Sequence, residues 1–240
     1  MTEYRLTFTL LSDATFGRGE GIAGLIDREV EHDRYGLPYL RGRTLKGLIT
    51  EETDNILYAL SQAEAKLDPW EIARRTLFGQ AGSKAADRGL IRFGPAELPE
   101  AVRDAVHQMH DAARDDAVTD ANRRVVLESL TAIRRQTAIE NDGEKYGVPA
   151  EGSLRAMRVI LRDTLFEARL SCDRDLLPDE LALLAASVLA FRRAGTGRNR
   201  GRGKLMADLT DASGNSLLET NYQHFIDTAL AQNSQQEVAS

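Results

Sequence analysis

The chain has little of what most enzyme and membrane classes need. It holds a single cysteine, Cys172, so no internal disulfide can form, and one thiol fits a reducing cytoplasm. A small buried hydrophobe on a strand is the plainer role for Cys172. No apolar run reaches the roughly 20 residues of a membrane-spanning helix, and no membrane role is expected. The N-terminus reads as a strand, with no leader pattern. Only four histidines are present, His32, His107, His110 and His224. His107 and His110 lie one helical turn apart, but two ligands do not make a metal centre, and a solvated helix face is the expectation. Basic charge is not in excess either: the formal net charge is −6 and the sequence pI about 5.4, against a general polyanion binder.

What is present is unevenly placed. Arg192, Arg193, Arg198, Arg200, Arg202 and Lys204 fall in one acid-free stretch, while acids crowd the middle of the chain. A local basic strip on an acidic protein can follow one phosphate backbone without binding polyanions everywhere. The strip is laced with glycine: Gly195-Thr-Gly-Arg-Asn-Arg-Gly-Arg-Gly-Lys204. It is not a phosphate-binding P-loop, because Arg198 stands where the first glycine belongs and Leu205 where Ser or Thr must bind magnesium. Nor is it a dinucleotide turn, since it leads from a helix into a strand. Guanidinium groups on a pliant backbone suit phosphates and base faces, so RNA-backbone binding by Arg198, Asn199, Arg200, Arg202 and Lys204 is favoured over a plain linker.

A second polar stretch runs from Asp27 to Gly47. Asp33-Arg-Tyr-Gly36 suits a type I turn, and Thr44 reads as the N-cap of a helix to about Ala65 with Leu45, Leu48, Ile49, Ile56 and Leu60 on one face. Arg41, Arg43 and Lys46 crowd the start of that helix, where the backbone already carries partial positive charge. A shared anion would explain them, and phosphate is the usual guest. Before this stretch, Ser12 to Gly24 holds four glycines and Arg18, a loop that lets a ligand approach the backbone or is merely mobile.

The rest reads as follows. Tyr4 to Leu11 alternates as a half-buried strand. Asp68-Pro69 opens a second helix, with Asp68 as cap, that ends near Phe78-Gly79. Gly89 to Phe93 is a short strand. Pro99 to about Ile133 is helical, broken near Val118 to Asp120. Arg134 to Gly152 is a long polar segment of the functional or disordered kind. Leu154–Leu161 and Leu165–Ser171 form a hairpin. A helix from Pro178 or Asp179 leads to the glycine-rich loop, a strand covers Lys204 to Leu209, and Leu217 to Gln232 is a final amphipathic helix before a disordered tail. This order is α+β and compatible with a ferredoxin-like sheet carrying insertions.

Gly36-Leu-Pro-Tyr-Leu-Arg-Gly-Arg-Thr-Leu-Lys-Gly47 resembles the Gly-x-Pro-x-Ile-Pro-Gly-Ser-Ser-Leu-Lys-Gly signature of the RAMP superfamily, the CRISPR-associated RNA-binding proteins. Leu77-Phe78-Gly79 with Gly89 to Phe93, Thr137-Ala138-Ile139 with Gly152-Ser153-Leu154, and Gly195 to Lys204 are similar to further family segments, in the family order. The resemblance covers roughly residues 4 to 210. It implies an RRM-like RAMP fold over 1–210, with a helical insertion at about 98–133, a thumb at about 134–153, and a C-terminal helix and tail over 211–240. It implies that the glycine-rich loop grips a guide RNA and that the thumb wedges between bases, with Ile139 and Tyr146 as the wedge candidates. This chain has Thr15-Phe-Gly-Arg18 where many relatives have His-Ile-Gly-Gly, and Arg202 where an aromatic is common.

In the resembling backbone subunits of type III CRISPR complexes, an aspartate after an aliphatic residue is needed to cut target RNA. Ile26-Asp27, with Asp33 six residues on, matches that placement. A lone carboxylate repels a phosphate, so Asp27 would hold Mg²⁺, with phosphate oxygens and water completing the shell, while a neighbouring 2′-hydroxyl attacks. The plainer role is capping a loop amide; Glu29, Glu31 and Asp33 compete for the assignment. The implied partners are guide RNA, target RNA, copies of the chain and other effector subunits. A non-catalytic scaffold or capping subunit is the alternative. A guide-processing nuclease ranks last, since it wants an acid–base group such as histidine at the RNA and only His32 lies near the expected groove.

Overall fold

The computed structural model describes residues 1–17, 26–80, 87–112, 116–137 and 154–237, with side chains to 231. Its centre is a four-stranded antiparallel sheet in the order β2-β5-β1-β6. The strands are β1 (Thr2–Leu10), β2 (Arg92–Glu97), β5 (Leu165–Cys172) and β6 (Leu205–Asp211); β3 (Thr131–Gln136) and β4 (Arg155–Ile160) form a separate ribbon. The helices are α1 (Gly42–Gln62), α2 (Asp68–Phe78), α3 (Glu100–Asp111), α4 (Asp116–Leu130), α5 (Pro178–Ala190) and α6 (Leu218–Glu237). α1 and α2 connect β1 to β2, and α5 connects β5 to β6. With β5 between β1 and β2, this is the ferredoxin-like (split βαβ) arrangement expected from the sequence.

Alternation builds the core. Tyr4, Leu6, Phe8 and Leu10 of β1 are buried, as are Phe166, Ala168, Leu170 and Cys172 of β5. Phe8 lies opposite Phe166 in the register, and their rings stack at 5.2 Å between centroids. Phe16 and Phe191 meet this pair edge-on. α5 is apolar nearly all round, from Ala182 to Val188, because α1, α2 and α6 surround it. Trp70 of α2 and Phe225 of α6, with centroids 4.6 Å apart, seal a second cluster against Ala182, Leu183 and Ala186. Burial pushes the Cys172 thiol up to about 11, which leaves it protonated and inert, as its small-hydrophobe reading requires.

Several expectations are corrected. β4 and β5 are not a hairpin: β4 pairs with β3, from Thr131↔Ile160 to Gln136↔Arg155, and β5 belongs to the main sheet. The turn at Arg162-Asp163-Thr164 carries the chain from ribbon to sheet, with Asp163 N–H on the Leu10 carbonyl at 2.7 Å. β3 straddles the expected 133/134 boundary between insertion and thumb. α1 begins at Gly42 with Arg41 as its N-cap, so Thr44 lies inside the helix. Leu67, not Asp68, is the N-cap of α2, with Pro69 in its first turn. β2 starts at Arg92 rather than Gly89. The helical break falls between Asp111 and Asp116, not at Val118 to Asp120. α6 runs to Glu237, past the expected end at Gln232.

The histidine pair is also placed differently. His110 is only 5% exposed, because α3 lays it against the 33–36 turn. The Tyr35 ring sits 5.1 Å from His110 and 4.3 Å from His107.

Candidate nucleic-acid interface

The acidic lead folds against the ribbon. Residues 27 and 28 lie along β4, with Asp27 N–H donating to the Ala156 carbonyl at 2.8 Å and Arg158 N–H to the Arg28 carbonyl at 3.0 Å, and Val30 and Glu31 run on beside residues 16–17. Each acid of this segment then meets a different environment. Glu29 is buried and pairs with Arg158 at 2.9 Å. Glu31 is buried too, and both its oxygens take the Arg41 guanidinium at 2.8 Å while Tyr39 donates at 2.9 Å. Asp33 caps its own turn, accepting from Tyr35 N–H at 2.8 Å and Leu37 N–H at 2.9 Å. Asp27 alone of the four lines a cleft of about 1660 Å³. Its Oδ2 accepts from Ala156 N–H at 2.6 Å, and its Oδ1 lies 3.6 Å from Arg155 Nη1. The loop-amide cap is therefore real, and it leaves the side chain at the cleft wall.

The glycine-rich loop lines the same cleft. Its base is pinned by Thr196 N–H on the Thr15 carbonyl and Gly203 N–H on the Asp13 carbonyl, both 2.9 Å. Gly203 is obligatory: at φ +68, an added Cβ would sit 1.9 Å from the Ala194 carbonyl oxygen. Between the pins, Arg198–Arg200 form a single 3₁₀ turn flanked by left-handed Gly197 and Gly201. Arg198, Asn199, Arg200 and Arg202 all line the cleft. Arg202 also touches the Met157 sulfur, and Arg198 pairs with Glu51 of α1 at 3.1 Å.

Seven arginines line this cleft: Arg28, Arg155, Arg192, Arg193, Arg198, Arg200 and Arg202. The acids on its lining are Asp27, Glu51 and Glu52. The local excess of positive charge stands against the chain's net −6, and open, arginine-lined walls suit a phosphodiester strand better than a small apolar ligand. No histidine is among the lining residues.

Other anticipated residues lie elsewhere. Arg43 and Lys46 line a separate shallow hollow on α1 with Thr50, Asp54 and Asn55. Burial, and then nearby Arg74, lowers the Lys46 pKa. Arg41 is turned to Glu31, so the three cations do not converge on one point. Lys204 is exposed beside the loop, bridged to Arg193 in the backbone, and does not line the cleft. Arg18, Ile139 and Tyr146 lie outside the described residues. Arg28 and Arg155 carried no sequence pattern of their own; the ribbon register places them, and only the neighbourhood of Asp27 could have suggested the first.

The family model described as the RAMP superfamily matches residues 7–205, which takes in the residues lining the cleft. The chain belongs to the RAMP superfamily. Solved structures agree on the fold of this RAMP chain. A chain from the cryo-EM structure of the type III-B Cmr-beta complex bound to cognate target RNA is 14% identical, with a TM-score of 0.58 over 87% of this chain and 97% of the other. A chain from the apo state of Cmr-beta is 12% identical, with a TM-score of 0.57 and the same coverage. No curated protein matches the sequence. Among the described residues, no helix is long and apolar enough to cross a membrane, and no three His, Cys, Asp or Glu side chains are grouped to hold a metal.

Proposed function

We propose that this RAMP chain is a guide-RNA-binding backbone subunit of a type III CRISPR interference complex, and that it cuts guide-paired target RNA at Asp27. The observation that carries the reading is that Asp27 and the arginine-bearing glycine loop line one cleft. The family membership and the fold shared with Cmr-beta chains support it. In this reading the loop arginines hold a sugar–phosphate backbone while base pairing reads sequence. Arginine density without a glutamate for each supports RNA over a self-paired linker. The other partners are target RNA, further copies of the chain and other effector subunits, in the cytoplasm, where the lone buried Cys172 needs no oxidising partner.

Magnesium fits here only as a site shared with the substrate. A single carboxylate plus phosphate oxygens is a common magnesium environment, and Asp27 is the residue of the 26–33 segment placed to offer it. Bound there, the ion would supply charge neutralisation at the scissile phosphate. The chain's own contribution is positional: the reciprocal Asp27–Ala156 bonds fix the acid on the ribbon, so whatever nucleotide the ribbon holds is held in register with the carboxylate.

A non-catalytic scaffold is the second reading, favoured by the structural work the Asp27 carboxylate already does for the Ala156 amide. One experiment separates them. Effector complex carrying Asp27→Ala should bind target RNA normally and stop cutting it, and magnesium chelation should stop the wild type. Undiminished cleavage by Asp27→Ala assigns the chain to the scaffold class.

A further inference from the structure

We propose that Arg155 is a catalytic residue of the same reaction: its guanidinium leaves Asp27 for a non-bridging oxygen of the scissile phosphate when RNA enters. This rests on the cleavage reading above. The observation is a contrast among three neighbouring acid–arginine pairs. Glu29–Arg158 closes to 2.9 Å and Glu31–Arg41 to 2.8 Å, with carboxylates that are buried. Asp27–Arg155 stays at 3.6 Å, with side chains 42% and 68% exposed. The tight pairs are structural; an exposed, loose pair contributes little to stability and exchanges partners readily.

The backbone makes the exchange local. Ala156, the next residue, holds Asp27 through both its N–H and its carbonyl, so Arg155 cannot drift from the acid while its side chain turns. Arg155 also pairs with Gln136 across the ribbon, and both line the cleft. An isolated carboxylate would repel the phosphate it must approach; a guanidinium beside it supplies two parallel donors to phosphate oxygens.

The chemical step balances without an oxidant or reductant. The 2′-oxygen forms a bond to phosphorus and gives its proton to the surrounding water. The P–O5′ bond breaks, and the 5′-oxygen takes a proton from water, leaving a 2′,3′-cyclic phosphate and a 5′-hydroxyl. Arg155 neither gains nor loses a proton. It stabilises charge on the phosphorane oxygens, where removal of one such donor costs roughly 10²–10³-fold in rate.

The test uses reconstituted complex with Arg155→Ala, Arg155→Lys or Asp27→Ala. Single-turnover cleavage and target affinity are measured separately, with Rp and Sp phosphorothioates at the scissile linkage. Arg155→Ala should slow the cleavage step roughly a hundredfold with affinity falling by no more than about tenfold, the share of one phosphate contact, and Arg155→Lys should recover part of the rate. One phosphorothioate isomer should slow the wild type more than the other, and the size of that preference should change in Arg155→Ala. An unchanged isomer preference, or cleavage within threefold of wild type, overturns the role of Arg155 while leaving Asp27 standing. Normal cleavage by Asp27→Ala overturns the underlying reading instead. If Arg155→Ala fails to assemble, Arg155→Lys, which keeps the charge and loses the fork, carries the same isomer test.

Discussion

Replacing Arg198 and Arg200 together by alanine should weaken RNA binding in a way that depends on salt. A single strand whose phosphates are neutralised loses affinity with a log–log salt slope of roughly 0.7 per phosphate contact. If each of the seven cleft arginines met one phosphate, the slope would be about 5, and the double variant would bring it to about 3.5. Between about 50 and 200 mM salt the first slope costs roughly a thousandfold in affinity and the second roughly a hundredfold. Arg198 must first leave Glu51, but that pair is half-exposed, and such surface pairs are worth less than about 1 kcal/mol. Fluorescence anisotropy with a labelled RNA at four salt concentrations gives both slopes. Arg5→Ala plus Arg169→Ala is the control: these arginines face each other across β1 and β5, away from the cleft, and should leave the slope alone. A slope unchanged in Arg198→Ala plus Arg200→Ala, or lowered as much by the control pair, refutes the cleft as the phosphate track.

Three further outcomes are expected. Ala156→Pro removes the N–H that holds the Asp27 carboxylate; gel-resolved cleavage should fall between roughly tenfold and a hundredfold, as small misplacements do, with RNA affinity nearly unchanged, and cleavage at the wild-type rate would show that this bond does not position the acid. Gly203→Ala, which drives a Cβ into the Ala194 carbonyl, should cost at least about 3 kcal/mol, and Gly201→Ala, left-handed but in open space, only about 1; equal melting temperatures for the two would contradict the packing. Burial alone would raise the Glu180 carboxyl, but the two-pronged Arg174 contact at 2.7 Å and the Leu177 amide hold it below the usual range. A carboxyl depressed in the folded state gives stability that is present above its unfolded value, about 4.3, and lost as pH falls through the folded value. Melting temperature should therefore drop in acid below about pH 4.3, and Glu180→Gln should be less stable at pH 7 but flatter on the acid side.

Local patterns carried much of this into the sequence. The alternation of Tyr4, Leu6, Phe8 and Leu10 needs no partner to be seen, and neither does Gly79 at the end of α2 or the arginine-bearing glycine stretch. Pairing is different. A period of two shows that 155–160 is a strand, but the partner is set by register and burial elsewhere; here the near neighbour β5 loses to β3, across residues 137–154. Arg155 inherits its place from that pairing, so no local window could have grouped it with Asp27; Arg28, next to Asp27 in the chain, carried no pattern of its own. His110 was misplaced for a related reason. Its spacing from His107 says helix, and only the Tyr35 turn, far off in sequence, decides that it is buried. Arg41 read as one of three anion-seeking cations, yet Glu31 takes it, because the 26–31 segment folds back beside the start of α1.

The most direct test is to find where RNA lies. Complex assembled on a guide with photoreactive bases, irradiated and digested, should give peptides cross-linked at 155–157 and 192–202 when read by mass spectrometry. Cross-links confined instead to the open sheet face around Arg5, Arg92 and Arg169 would contradict the cleft as the RNA-binding surface.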